Sequence, residues 1–264
     1  MKTYTSNTED YTFTPYADGG FSGKLLLATA KNPDLPNLII KSDNPSSACN
    51  EFMYSRLAEL LHIPTPKTYI MDVAEQDKHL FGSPYVVGIE FLDGLQSFTL
   101  EEMRSSDINK AEYAAHYALA AMFDQSDRVQ LMKTSDGHIT GFDFTEAFWL
   151  SDMAVSTYSF SDEGLADILS QRLLAHKRQG FYLMANAGAT VLQKHLNEQD
   201  IHDVYPYYLA PMKALCRLTE EEIVELTDVL SETYSVAVAV FYEEYITLLK
   251  KEIANYLKSL GEQN

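Results

Sequence analysis

Apolar positions in this chain change their period once. Up to about residue 97 they form short β-type runs set off by Gly, Pro and Asn; beyond about residue 105 they recur mostly at helical spacing. Residues 24–30 (KLLLATA) and 38–41 (LIIK) read as two strands, with Asp18-Gly19-Gly20 turning the chain before the first and Asn32-Pro33-Asp34 between them. Pro45 and Ser46 then open a helix on which Met53, Leu57, Leu60 and Leu61 fall at i, i+4, i+7 and i+8, a single face. Pro64 and Pro66 end it. Residues 67–73 and 83–92 read as two further strands, and Asp93-Gly94 closes the second. The order strand, strand, helix, strand, strand describes a small sheet carrying one helix, since a βαβ array would alternate the two. Such a layer is too small to stand alone and must pack on the helical part of the chain.

The second part opens with a helix over residues 109–123, carrying Tyr113, Tyr117, Ala120 and Ala121. An irregular stretch, 124–128, leads into two short strands, 129–133 and 138–142, joined by Ser135-Asp136-Gly137, a hairpin signal. The remainder is helical in period over 163–176, 179–197, 218–232 and 234–260. Thr219-Glu220-Glu221-Glu222 marks one helix N-terminus, where the acidic side chains meet the positive end of the dipole. In the last helix, Val236, Val240, Tyr245, Leu248 and Ile253 form a stripe expected to face a bundle core. Trp149 is expected in the core as well.

Charge narrows the function. The chain has 264 residues, with 20 Lys plus Arg against 38 Asp plus Glu, a formal net charge of −18. With no basic run, nucleic acid and anionic membrane surfaces are excluded as partners. A nucleotide is not, because its phosphates need only a few local cations, backbone N–H groups and Mg²⁺. The two cysteines, Cys49 and Cys216, form no CxxC pair, which argues against structural zinc and a disulfide framework. The polar N-terminus has no signal-peptide core, and no apolar stretch approaches the roughly 18 residues of a membrane span. A soluble cytoplasmic protein is expected.

Four features carry candidate chemistry. Glycines in Gly19-Gly20-Phe21-Ser22-Gly23, between strands, let backbone N–H groups approach a phosphate; a plain hairpin turn is the competing reading. Lys41 ends an apolar strand and Glu51 follows on the next helix; a lysine held beside a carboxylate stays charged and can meet a phosphate oxygen, although a solvated strand-end lysine looks the same. Asp143, in Gly141-Phe142-Asp143-Phe144-Thr145, is costly to bury without a partner, and a divalent cation or a turn cap would serve. Asp127, in Gln125-Ser126-Asp127-Arg128, could accept a hydroxyl proton, or be one more loop aspartate beside Asp124. The seven histidines show no metal-binding spacing, and there is no GxSxG elbow.

The order of these features is that of a protein-kinase-like fold. The stretches GGFSGKLLLATA, LIIKSDNPSSACNEFMYSRLAELLHIPTP, SPYVVGIEFLDG, MFDQSDRVQL and HITGFDFTEAF resemble the HipA-like kinase family, in particular its short, single-unit members. The resemblance covers about residues 9–150. It implies an α+β, two-lobed architecture: a β-rich lobe over 1–97, a helical lobe over 98–264 with the catalytic and metal segment at 124–148, and a nucleotide cleft near residue 95. It implies ATP and Mg²⁺ as ligands, with Gly19, Gly20, Ser22 and Gly23 over the phosphates, and Ser22 as a serine whose phosphorylation would disrupt ATP binding. Lys41 would touch the α- and β-phosphates and Glu51 would steady it. Ile89, Glu90, Phe91 and Leu92 would line the adenine pocket. Asp127 would be the catalytic aspartate and Asp143 the metal ligand. It further implies Ser/Thr protein kinase activity on a protein substrate, and a toxin–antitoxin setting in which a regulatory protein partner is an open question. The family's D-R-H-x-x-N loop reads Asp127-Arg128-Val129-Gln130-Leu131-Met132 here. Met132 stands where an asparagine would ligate metal, a poor exchange for a hard cation, and Gln130 is the substitute ligand if the loop shifts register. A pseudokinase, or a nucleotide-binding regulatory module, is the alternative.

Overall fold

The structure, a computed structural model, describes residues 5–16, 25–41, 45–126, 129–156, 163–196 and 198–262. Its first part is a six-stranded sheet built from β1 (Thr5–Asn7), β2 (Tyr11–Pro15), β3 (Leu25–Ala30), β4 (Leu38–Lys41), β5 (Thr68–Asp72) and β6 (Tyr85–Glu90), in the order β1-β5-β6-β4-β3-β2. All pairings are antiparallel except β1 with β5. β1 and β2 were not expected. The polar N-terminal stretch masks the alternation Tyr11-Thr12-Phe13-Thr14, which pairs Tyr11 with Ala30 and Phe13 with Ala28.

Strand alternation decides what each face of this sheet does. Leu38 and Ile40 are fully buried in a small core with Ala28, Met71 and Val86. Ile39 and Lys41 therefore project from the other face. Gly88 lies opposite Ile40, where a Cβ would come within 2.7 Å of Leu38 Cδ1 and 2.8 Å of Met71 Sδ, so the strand has room only for hydrogen at that point.

Between β4 and β5 runs α1 (Pro45–Leu60). The sequence pattern gives it one apolar face, but thirteen of its sixteen residues are buried, Ser46, Asn50, Glu51, Ser55 and Arg56 among them. Polar groups tolerate this only with partners. Ser55 Oγ donates to Pro66 O at 2.7 Å, and Arg56 pairs with Glu59 one turn on.

The second part comprises α2 (Leu100–Arg104), α3 (Asp107–Met122), the hairpin β7 (Gln130–Lys133) and β8 (Ile139–Phe142), α4 (Ser151–Ser156), α5 (Glu163–His195), α6 (Glu198–Arg217), α7 (Glu220–Thr233) and α8 (Val236–Ser259). Thr99 with Glu102 and Thr219 with Glu222 form capping boxes at α2 and α7. One large core joins α1 to these helices through Phe52, Tyr54, Phe123, Phe148, Phe181, Tyr208, Tyr242 and Tyr245. Among the described residues no helix is long and apolar enough to cross a membrane.

Three expectations are corrected here, and one helix lies where none was expected. The helices expected at 163–176 and 179–197 are one, α5, because Lys177 at the assumed break is itself fully buried inside the helix. No element was expected over residues 198–217, yet α6 lies there with Pro206 and Pro211 inside it, and Val204, Tyr208, Met212 and Leu215 bury a continuous face. In α8, Tyr245 and Ile253 are core, whereas Val236 and Val240 are exposed at 66% and 49%; the buried face runs instead through Val238, Phe241, Tyr242 and Tyr245. Trp149 is 41% exposed and stacks on the His176 ring at 3.9 Å.

Candidate functional site

Three charged side chains from distant parts of the chain meet at the edge of the sheet. Lys41, last residue of β4, donates to Glu51 of α1 and to Asp143 Oδ1 at 2.6 Å. Glu51 is 1% exposed, Lys41 13% and Asp143 34%, so the cluster opens to solvent on the Asp143 side. Burial opposes the charge on Lys41, but the Glu51 and Asp143 carboxylates outweigh it and hold its pKa above the ordinary lysine value. Burial pushes the Glu51 carboxyl up, and Lys41 and the Phe144 backbone N–H offset part of that push.

Asp143 follows β8 with a φ of 65°, in the left-handed region. Asp124, Phe148 and Leu150 have φ of 51°, 57° and 73°, so this backbone strain is concentrated between residues 124 and 150. The surroundings hold it. Gln125 Nε2 donates to Asp143 O at 3.1 Å, the Thr145 hydroxyl lies 3.4 Å from Asp143 Oδ1, and Phe148 N donates to Phe123 O at 2.6 Å. Phe144 stacks on Tyr54 of α1, rings 3.8 Å apart and 6° from parallel. Gly141 presses on His116, whose Nδ1 would lie 2.8 Å from any Cβ there.

A cleft of about 580 Å³ adjoins Lys41 and Asp143, lined on one side by Leu25, Ile39, Ile89, Phe91 and Leu92 and on the other by Gln130, Met132 and Phe142. Glu90 lines it too. Gln130 and Met132 are two residues apart on β7 and share the face toward the cleft. Gln130 Nε2 donates to Asp143 Oδ2 at 2.7 Å, so Gln130 reaches the carboxylate while Met132 offers only a thioether. The walls are mostly apolar with a polar end, which suits a flat apolar ring attached to a charged group. A hard cation at that end would find the Asp143 carboxylate, and the Gln130 carboxamide oxygen once the amide turns over from its Nε2 contact; Mg²⁺ takes one or two protein oxygens and fills its other positions with phosphate and water, so this donor set would then fit it. No group of three or more His, Cys, Asp or Glu side chains able to hold a metal occurs among the described residues.

Of the residues expected to form the site, Lys41, Glu51, Asp143 and Gln130 come together, and Glu90, Phe91 and Leu92 line the adjoining cleft. Gly19, Gly20, Ser22, Gly23 and Asp127 lie outside the described residues.

Two networks around the site were not anticipated. Asn50, beside Glu51, is bonded to Thr145, Ser151 and Tyr242. Asp124 is buried, and its Oδ2 accepts from Lys177 at 2.5 Å and Tyr245 OH at 2.6 Å, with His176 Nε2 at 3.2 Å. Lys177 is fully buried and also donates to Met122 O at 3.3 Å. This ties the turn at residues 123–126 to α5 and α8. A buried Asp–Lys pair fifty-three positions apart leaves no sequence signal, but Asn50 stands inside the helix stretch that carries the kinase resemblance.

The fold and this arrangement define an α+β protein of two-lobed, protein-kinase-like architecture. A solved structure it is similar to is that of a Helicobacter pylori proinflammatory kinase, CtkA, at 11% sequence identity and a TM-score of 0.53, over 99% of this chain and 100% of that one. At that identity the likeness speaks for the fold. No protein-family model matches the chain, and no curated protein matches it significantly.

Proposed function

We propose that the chain is an ATP-dependent phosphotransferase of the HipA-like kind, transferring the γ-phosphoryl group to a Ser or Thr hydroxyl of a protein substrate. The observation that carries this reading is the Lys41–Glu51–Asp143 cluster at the polar end of an apolar cleft. Phosphoryl transfer needs little covalent chemistry from the protein; it needs the phosphates positioned and their charge compensated. The adenine ring would lie among Ile39, Ile89, Phe91, Leu92 and Met132, and the phosphates would reach Lys41. Gly19, Gly20, Ser22 and Gly23 would cover the phosphates, and Asp127 would accept the hydroxyl proton. Bound Mg²⁺, held by Asp143 and Gln130, would supply charge neutralisation at the phosphate oxygens.

A second reading, a nucleotide-binding module without efficient transfer, is favoured by Val129 and Met132. Met132 puts a thioether in the cleft where the family's pattern has an amide. Titration with ATP and Mg²⁺ followed by intact mass separates the two. A kinase gains the mass of phosphoryl groups or consumes ATP, and Asp127→Ala abolishes this. A binding module is only stabilised thermally, and Met132→Asn then raises turnover. Lys41→Ala should weaken ATP binding about 10- to 100-fold, since a charged hydrogen bond is worth about 1.5–3 kcal/mol. ATP binding by wild type and Lys41→Ala with equal affinity would remove both readings.

A further inference from the structure

Asn50 is 2% exposed and sits on α1 immediately before Glu51. Its Nδ2 donates to Thr145 O at 2.7 Å and to Ser151 Oγ at 3.0 Å, and its Oδ1 accepts from Tyr242 OH of α8 at 2.7 Å. Thr145 O can only accept, which fixes the orientation of the amide. Both amide protons are used, and all three partners belong to the second part of the chain.

The neighbouring turns of α1 repeat the grip. One turn earlier the Ser46 hydroxyl donates to the Asp152 carboxylate. One turn later Tyr54 carries the stacked Phe144. The Phe144 backbone also favours the charged form of Glu51. The segment directly after Asp143 is thus fastened to α1 over residues 46–54. A rotation or slide of α1 large enough to withdraw Glu51 from Lys41 must break the three Asn50 bonds as well, and leave buried polar groups unpaired.

We infer that Asn50 is a positioning residue: clamped by Thr145, Ser151 and Tyr242, it sets the register of α1, through Glu51 the place of Lys41, and so the contact with ATP phosphate. Kinase-like sites depend on such a lysine–glutamate pair being in place, and many control it by moving the helix that carries the glutamate. Here the second lobe holds that helix directly. The inference rests on the proposed ATP site.

The test uses the full chain with Asn50→Ala, and Tyr242→Phe as a gentler variant that removes one hydroxyl and leaves both amide protons of Asn50 bonded. Hydrogen exchange is measured without nucleotide, far below the melting temperature, and MgATP affinity is measured alongside. Asn50→Ala is expected to speed amide exchange in residues 46–54 and 144–152 together, and to weaken MgATP binding roughly tenfold, the scale set by unpaired buried polar groups. Added to Lys41→Ala, it should weaken binding little further, because both act through one contact. Tyr242→Phe should do the same to a smaller degree, and it decides the matter if Asn50→Ala does not fold. A purely structural Asn50 would lower the melting temperature with unchanged MgATP affinity, or with an effect that adds fully to that of Lys41→Ala; either result overturns the inference. If the wild type binds no MgATP, the proposed function fails. Exchange then decides alone: acceleration confined to the two segments upholds the clamp, and wild-type exchange in both overturns it.

Discussion

Lys41 donates to two carboxylates, and the two have different fates when an anion arrives. Glu51 is sealed in and remains; Asp143 is one-third exposed and can give up its bond to a phosphate oxygen, which keeps the lysine compensated and frees the carboxylate for a cation. Asp124 and Lys177 serve the fold instead. They are a buried pair, so Lys177→Met alone should cost about 3–5 kcal/mol by stranding the carboxylate, and Lys177→Met with Asp124→Asn considerably less. Urea unfolding of both single variants and the double variant checks this; single losses that simply add would mean the pair is uncoupled. His116 behaves differently. Burial pushes it down to about 4 from an ordinary 6.5. The unfolded chain therefore takes up the proton first, so the stability associated with neutral His116 is full above about pH 6.5 and is lost as pH falls toward 4, by up to about 3 kcal/mol. Exposed His138, raised by its bond to Glu112, works in the opposite sense. His116→Gln should flatten the decline in urea midpoint between pH 7 and pH 5; an unchanged slope would assign the decline elsewhere. At this scale the site was partly legible. Lys41, Glu51 and Asp143 announce themselves as charges at the ends of apolar runs or beside them. Asn50, Asp124 and Lys177 do not, because a buried polar residue reads like an exposed one until the partner, here as many as 192 positions away, is in place.

The elements around the site each restrict the backbone differently. β4 carries Lys41 on a face set by alternation, and its pairing with β6 (Lys41 opposite Val87) leaves no freedom of register without moving Leu38 and Ile40 out of their core. β8 leads into the left-handed Asp143 and needs Gly141 two residues before it, since any Cβ there would strike His116 and come within 3.3 Å of Phe144. α1 is the element on which the sequence was least informative about burial. Its apolar stripe at Met53 and Leu57 is real, but the opposite side is also covered by α4 and α7, and it is polar because it meets polar partners. α6 shows the converse failure. Residues 198–217 were assigned no element, although tertiary burial of Tyr208, Met212 and Leu215 sustains a helix through Pro206 and Pro211. Strand and hairpin signals around β3 to β8 carried through because turn residues such as Asp136-Gly137 bound them closely, with Gly137 at a φ of 95°.

For the molecule as a whole, the net charge of −18 acts as general self-repulsion. Raising salt from about 10 mM toward 150 mM shortens the Debye length from about 30 Å to about 8 Å and should raise the melting temperature. A fall instead would show that the local ion pairs outweigh the long-range repulsion. The two-lobed organisation was legible because the change from β-type to helical period falls between sheet and helices. What was not legible is how the lobes grip each other, since that depends on contacts between distant segments. Tyr242 and Tyr245 reach Asn50 and Asp124 from α8, the last of the described helices. A nascent polypeptide stalled on the ribosome before α8 emerges would therefore already display Lys41, Glu51 and Asp143 but lack the two phenols that fasten their surroundings. Translation order alone thus leaves these surroundings unfastened until α8 docks.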